Sequence, residues 1–224
     1  MFKYLSIIKK FVNHYFNSNE NACNYFFNLK ININKIKFFL ELKNFKDKNS
    51  FVWDGDWDKK KIKITKYREY NINYNSVYQI YKEKINFKKS DEYKYKLQQI
   101  KNGKTTPRGN TINQLNNYFV SLDYLKNSLK RDGYLSQSQL KSVRKNDEIG
   151  IVIGRNGEII KIEDKFGGTH RFAICKILKI KHIIVSVKAI HKSLISANEL
   201  KKISAKKDRK LLMTIAKQRA LKLE

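Results

Sequence analysis

The chain has 224 residues with 48 basic and 20 acidic side chains, a formal charge of +28 and a pI near 10.0. With 41% hydrophobic and 12% aromatic residues, one Pro and nine Gly, it carries enough apolar surface for a core, which excludes wholesale disorder, collagen-like repeats and linker-like chains. The charge is mostly lysine, 40 Lys against 8 Arg, in the Lys, Asn and Ile mixture that AT-rich codons impose, and it reads equally as genome bias and as a surface that meets nucleic acid or anionic lipid.

From the start, Phe2, Leu5, Ile8, Phe11, Val12 and Tyr15 recur at helical spacing, and so do Phe26, Leu29, Ile33, Ile36, Phe39 and Leu40. The spacing predicts two amphipathic helices over 1–50. The first, residues 1–16, is a candidate for peripheral membrane contact or for packing on the protein; Lys9 and Lys10 break its apolar run, so it does not read as a signal peptide. No run of about 18 apolar residues predicts a spanning helix. At Trp53-Asp54-Gly55-Asp56-Trp57-Asp58 both tryptophans and three acids fall together. A basic strand-like stretch, Lys59 to Tyr67, follows, and then helices near 76–86, 90–101 and 112–131. The last two are parted by the loop Asn102 to Gly109, and Gly133 is the stop after the third.

The last third alternates strands and helices. Asp147 to Ile153 predicts a strand, Gly154-Arg155-Asn156-Gly157 a hairpin turn and Glu158 to Ile162 the return strand. Thr169 opens a helix through about Leu178, His182 to Ile190 is a buried strand, and a Lys-rich helical tail runs from Ser196. Cys23 and Cys175 form no CxxC pair, so neither a zinc site nor a disulfide framework is expected, and a reducing, cytoplasmic compartment is the default.

Phe166-Gly167-Gly168-Thr169-His170-Arg171 is the sharpest motif. Two glycines before a helix start let main chain approach a ligand, and the first-turn amides favour an anion. Thr169 can cap, His170 can donate to a phosphate oxygen, and Arg171 offers a planar fork. The alternative is a plain strand-to-helix turn, with His170 held by a backbone carbonyl and Arg171 in a surface ion pair. Asp54, Asp56 and Asp58 alternate like a calcium loop, but Lys59 stands where that loop needs glycine and Thr65 where it needs a bidentate acid. Three roles stay open: Asp56 and Asp58 caging Mg²⁺ beside a nucleotide, one of them acting as general base, or the acids pinning basic strands while the Trp pair packs.

The order of hairpin, Gly167-Gly168-Thr169-His170-Arg171 turn, helix 172–178 and strand 183–187 resembles the ParB/sulfiredoxin-like fold over about 147–191. Sulfiredoxins hold ATP phosphates with a Gly-Gly-Cys-His-Arg turn. Thr169 stands at the cysteine, which excludes sulfiredoxin chemistry itself, because a hydroxyl does not do what the thiolate does. The chain is also similar to uncharacterised ParB/sulfiredoxin-domain proteins of bacteria and phages, often met near polysaccharide genes. The matches are Gly55-Asp56-Trp57-Asp58, Val77-Tyr78, Asp132-Gly133-Tyr134, Asp147-Glu148-Ile149, Gly154-Arg155-Asn156-Gly157 and His191. The acid that precedes the turn in those relatives is Gly167 here, leaving Glu163 and Asp164 nearest.

The expectation is an α+β protein with a small mixed sheet: N-terminal helices over 1–50, a ParB/sulfiredoxin-like domain over 51–195 with a helical insertion at about 70–140, and a basic helix over 196–224. The resemblance to sulfiredoxin and free serine kinase implies a nucleotide or phosphate-ester binder, extending to a phosphotransferase, that takes ATP or another nucleotide with Mg²⁺. Gly167, Gly168, Thr169, His170 and Arg171 would hold the phosphates, with Asp56, Asp58, Glu163 and Asp164 as candidate catalytic acids. The competing class is a non-catalytic, ParB-like DNA-binding protein using the basic surface and the tail of Lys201, Lys202, Lys206, Lys207, Arg209 and Lys210.

Overall fold

The computed structural model describes residues 27–41, 51–106, 109–141, 147–163, 167–206 and 209–221. Seven strands form one mixed sheet: β1 (Phe27–Asn32), β2 (Ile36–Glu41), β3 (Val52–Trp53), β4 (Ile62–Lys63), β5 (Ile149–Ile153), β6 (Ile159–Glu163) and β7 (His182–His191). The helices are α1 (Tyr67–Tyr70), α2 (Ile72–Tyr81), α3 (Asp91–Lys101), α4 (Ile112–Asp132), α5 (Thr169–Ile177), α6 (Ala197–Lys206) and α7 (Arg209–Leu221).

The strand order is β1-β7-β5-β6-β2-β4, with β3 also on β7. β1 runs antiparallel to β7, β5 parallel to β7, β6 antiparallel to β5 and β2 parallel to β6. Only the 3-10 turn Ile33–Lys35 joins β1 to β2, although three strands lie between them. In a flat sheet that gap is roughly 19 Å, while the four steps from Asn32 to Ile36 reach at most about 14 Å. The sheet therefore curls, and residues 27–41 act as one bent strand that closes it.

This corrects the helix expected around Leu29, Ile33, Ile36, Phe39 and Leu40. Phe27, Leu29 and Ile31 alternate with Asn28, Lys30 and Asn32, and the burial alternates with them, so the two-residue period wins over the helical one. The basic stretch 59–67 also differs: it is two 3-10 turns around the two-residue β4, leading into α1. Residues 1–26, which hold the first expected helix, lie outside the described residues.

The curled sheet has two apolar faces. The larger core joins Phe27, Leu29, Ile31, Ile149, Ile151, Ile153, Val185 and Val187 to Val77 of α2, Leu115 and Phe119 of α4 and Phe172 of α5. The opposite face buries Trp53, Trp57, Leu40, Val152, Ile160, Ile162 and Ala189. The helix ends obey their caps. Asn71 Oδ1 accepts from the Tyr74 amide at 2.8 Å, Thr111 Oγ1 from the Gln114 amide at 3.2 Å, and Gly133 ends α4 at φ +70°. The hairpin turns where Asn156-Gly157 predicts, with Gly157 at φ +82° and its amide donating to Gly154 O at 2.9 Å.

Candidate functional site

The start of α5 lies against the first residue of β5. Gly168 adopts the left-handed conformation at φ +62°, and a Cβ built there would come within 3.1 Å of Ile149 Cα and Cγ1, so glycine serves both the turn and the close approach. The Phe172 amide donates to Gly168 O at 2.9 Å and opens the helix. Gly168 has no side chain with which to cap the first-turn amides, the condition under which a helix start attracts negative charge.

Along β6 the period of two puts Ile159, Lys161 and Glu163 on the face toward the helices. Lys161 has no solvent exposure; its Nζ donates to Ile162 O at 2.7 Å, lies 3.6 Å from Glu163 Oε1 and sits 5.9 Å from the centroid of the Tyr67 ring. Glu163 accepts from Asn71 Nδ2, the same side chain that caps α2, and from Thr169 Oγ1 at 3.4 Å. The Tyr67 hydroxyl lies 3.4 Å from Thr169 Oγ1. Lys161, Glu163, Thr169, Tyr67 and Asn71 thus form one polar cluster where β6 leads toward α5.

His170 and Arg171 turn to internal carboxylates. His170 Nε2 is 2.8 Å from Glu92 Oε2 and 2.8 Å from the Tyr118 hydroxyl, and the ring is buried. Arg171 donates to Asp147 O at 2.9 Å, to Glu148 Oε2 at 3.3 Å and to the Tyr134 hydroxyl at 3.3 Å, and that hydroxyl donates to Glu148 at 2.6 Å. Burial works to lower the Arg171 pKa, but Tyr134, Glu148 and Asp147 outweigh it and hold the guanidinium above its usual value. Burial pushes the Tyr134 hydroxyl up in turn. Neither alternative read from the sequence matches in full: His170 meets a carboxylate, not a backbone carbonyl, and the Arg171 ion pair is buried.

The expected acids separate. Glu163 stands at the turn, and Asp164 lies outside the described residues. Asp56 and Asp58 gather at the other end of β5: the Arg155 amide donates to Asp58 Oδ2 at 2.8 Å, and Arg155 Nη2 donates to Asp58 Oδ1 and Asp56 Oδ1, each at 2.7 Å. Arg155 stands two residues beyond Ile153, whereas Gly168 packs against Ile149. Four strand steps of about 3.3 Å put roughly 13 Å between the two places. His191 joins the Asp58 group, with Nε2 2.8 Å from Gly55 O and 3.9 Å from Asp58 Oδ1. Asp54 takes Lys192 at 2.7 Å, and the tryptophans pack edge to face with centroids 5.3 Å apart. These contacts tie the three acids to Arg155 of the hairpin turn and to Lys59 and Lys192. Burial pushes the Asp58 carboxyl up, but the Arg155 side-chain and main-chain hydrogen bonds and the charges of His191 and Arg155 prevail and hold it below the ordinary carboxylate range.

Lys161, Tyr67, Asn71, Glu92 and Tyr118 are the members that sequence reasoning missed. Only Lys161 had a local signal: a lysine on the inward parity of a strand, flanked on both sides by isoleucine. Searches against family models, curated proteins and solved structures gave no match to this chain.

Proposed function

We propose that the protein binds a phosphate ester, in the form of a nucleotide with Mg²⁺, where β6 meets the start of α5. One observation carries this reading: an ammonium without solvent exposure, Lys161, lies 3.6 Å from the Glu163 carboxylate, which also accepts from Thr169 at the uncapped start of α5. Taking a charge out of water costs several kcal/mol, and an apolar side chain of similar volume often serves stability as well or better. Retaining the ammonium there is explained by an anion that the helix-start amides also attract. Lys161, Thr169 and the amides of the turn hold the phosphate. His170 and Arg171 fasten the helix start through Glu92 and Glu148 and so preorganise it.

The ParB/sulfiredoxin-like resemblance extends the proposal to phosphoryl transfer. Glu163, which already accepts from the Thr169 hydroxyl, is then the group that takes the proton of an acceptor hydroxyl. The test is calorimetry with ATP, ADP and CTP, each with Mg²⁺, on the whole chain and on Lys161→Met. Binding of at least one nucleotide, weakened at least tenfold in Lys161→Met at unchanged circular dichroism, supports the reading. No heat with any of the three, or equal affinity in the variant, overturns it.

A further inference from the structure

The crossing from β1 to β2 carries lysines from three segments of the chain. Lys35 ends the 3-10 turn, and Lys37 falls at the irregularity between Ile36 and Phe38 in the β2–β6 register, where its side chain is exposed. Lys176, in the last turn of α5, donates to Asn34 Oδ1 at 3.2 Å. Lys181 O accepts from the Ile33 amide at 3.0 Å, and Lys179, between them, is exposed at φ +57°. Burial, and then the charge of Lys37, hold the Lys176 pKa below its usual value, as expected when neighbouring ammonium groups repel.

Two features separate this ridge from a surface that is basic through codon bias alone. Such a bias scatters lysine but does not remove acids from one place. The stretches that carry the ridge, 27–40 and 167–191, contain no Asp or Glu, although the chain as a whole has 20. The ridge also lacks apolar anchors. The exposed large apolar side chains, among them Tyr124 at 73% and Tyr95 at 53%, lie on α1 to α4 and at Leu140, and among the described residues none is on β1, β2, α5 or β7. Binding in a bilayer interface draws on inserted apolar surface, while a nucleic acid backbone asks only for spaced cations.

We propose that this ridge binds the sugar–phosphate backbone of a nucleic acid duplex without regard to base sequence. Lysine supplies point charges, not the planar fork that reads guanine, which is why affinity comes here without sequence readout. The proposal is independent of the phosphate-ester site at α5.

Fluorescence anisotropy with a labelled 20-base-pair duplex, titrated from 50 to 300 mM salt, tests it on three proteins of the full chain. They are the wild type, a triple variant Lys37→Gln, Lys179→Gln, Lys181→Gln, and a control triple Lys88→Gln, Lys94→Gln, Lys101→Gln that removes the same charge from exposed positions on and near α3. The expected result is at least a tenfold loss of affinity in the ridge triple at 100 mM salt. The slope of log affinity against log salt should shrink by about 2 to 3, near 0.9 per lost phosphate contact, with a change under 1 in the control. Equal losses in both triples, or no duplex binding by the wild type at 100 mM salt, overturn the proposal. So does a ridge triple that loses binding to phosphatidylserine vesicles while keeping its duplex affinity.

Discussion

Lys161→Met separates a residue kept for binding from one kept for stability. With the ammonium replaced by an apolar side chain of similar length, urea unfolding should show stability unchanged or raised by about 1–4 kcal/mol, whereas Glu163→Ala, which takes the Glu163 carboxylate away from the buried Lys161, should lose about 3 kcal/mol. A large loss in Lys161→Met would make the ammonium a structural member and remove the main support for the phosphate site. Asp58 gives a pH prediction of definite sign. Its folded pKa lies below the ordinary value, so its contribution is complete above about pH 4 and is lost as pH falls through the folded value. The wild-type urea midpoint should therefore drop between pH 5 and pH 3, and the drop should be smaller in Asp58→Asn. The residues of the turn were legible in the sequence because glycines, a hydroxyl, an imidazole and a guanidinium stand together there. Their partners were not, because Glu92 lies 78 positions from His170 and Glu148 lies 23 from Arg171, and no local period connects them.

Elements whose period was unambiguous read well: α3 begins one residue from its expected start, α4 ends one residue beyond its expected end, and β5, the hairpin and β7 fall where alternation and Asn-Gly put them. β1 and β2 did not, because apolar residues at 29, 33 and 36 satisfy a helical template while those at 27, 29, 31 and 33 satisfy a strand, and only tertiary pairing with β7 and β6 decides. The junction of β5 with α5 is a close contact between elements at the site. In Gly168→Ala the new methyl meets Ile149 in a left-handed backbone conformation, which should cost about 1–3 kcal/mol in urea unfolding. The same substitution at Gly103, also at positive φ but with nothing within 4 Å of the built Cβ, should cost less, since only the backbone term remains. Equal costs at the two glycines would show that the β5–α5 contact yields easily and does not hold the turn in place.

At the scale of the molecule, stability depends on pairings between distant parts of the chain. Phe27 pairs with Val187, about 160 residues away, and Ile36 with Ile159, so the strand that closes the sheet is joined last in sequence distance though it comes early in the chain. Closing such loops has to precede the burial that rewards it, which predicts refolding in milliseconds to seconds and not microseconds. It also predicts that the sheet does not survive without its closing strand. Removing residues 27–41 exposes the edges of β7 and β6 together and strips Phe27, Leu29, Ile31, Ile33, Ile36 and Phe39 from the larger core, six side chains each buried to within a few per cent. A chain beginning at residue 42 should therefore lose the cooperative urea transition in near-ultraviolet circular dichroism that the whole chain shows. If the shorter chain unfolded cooperatively at the wild-type midpoint, β5, β6 and β7 with their helices would be stable alone, and the curled sheet would be a consequence of the fold and not its condition.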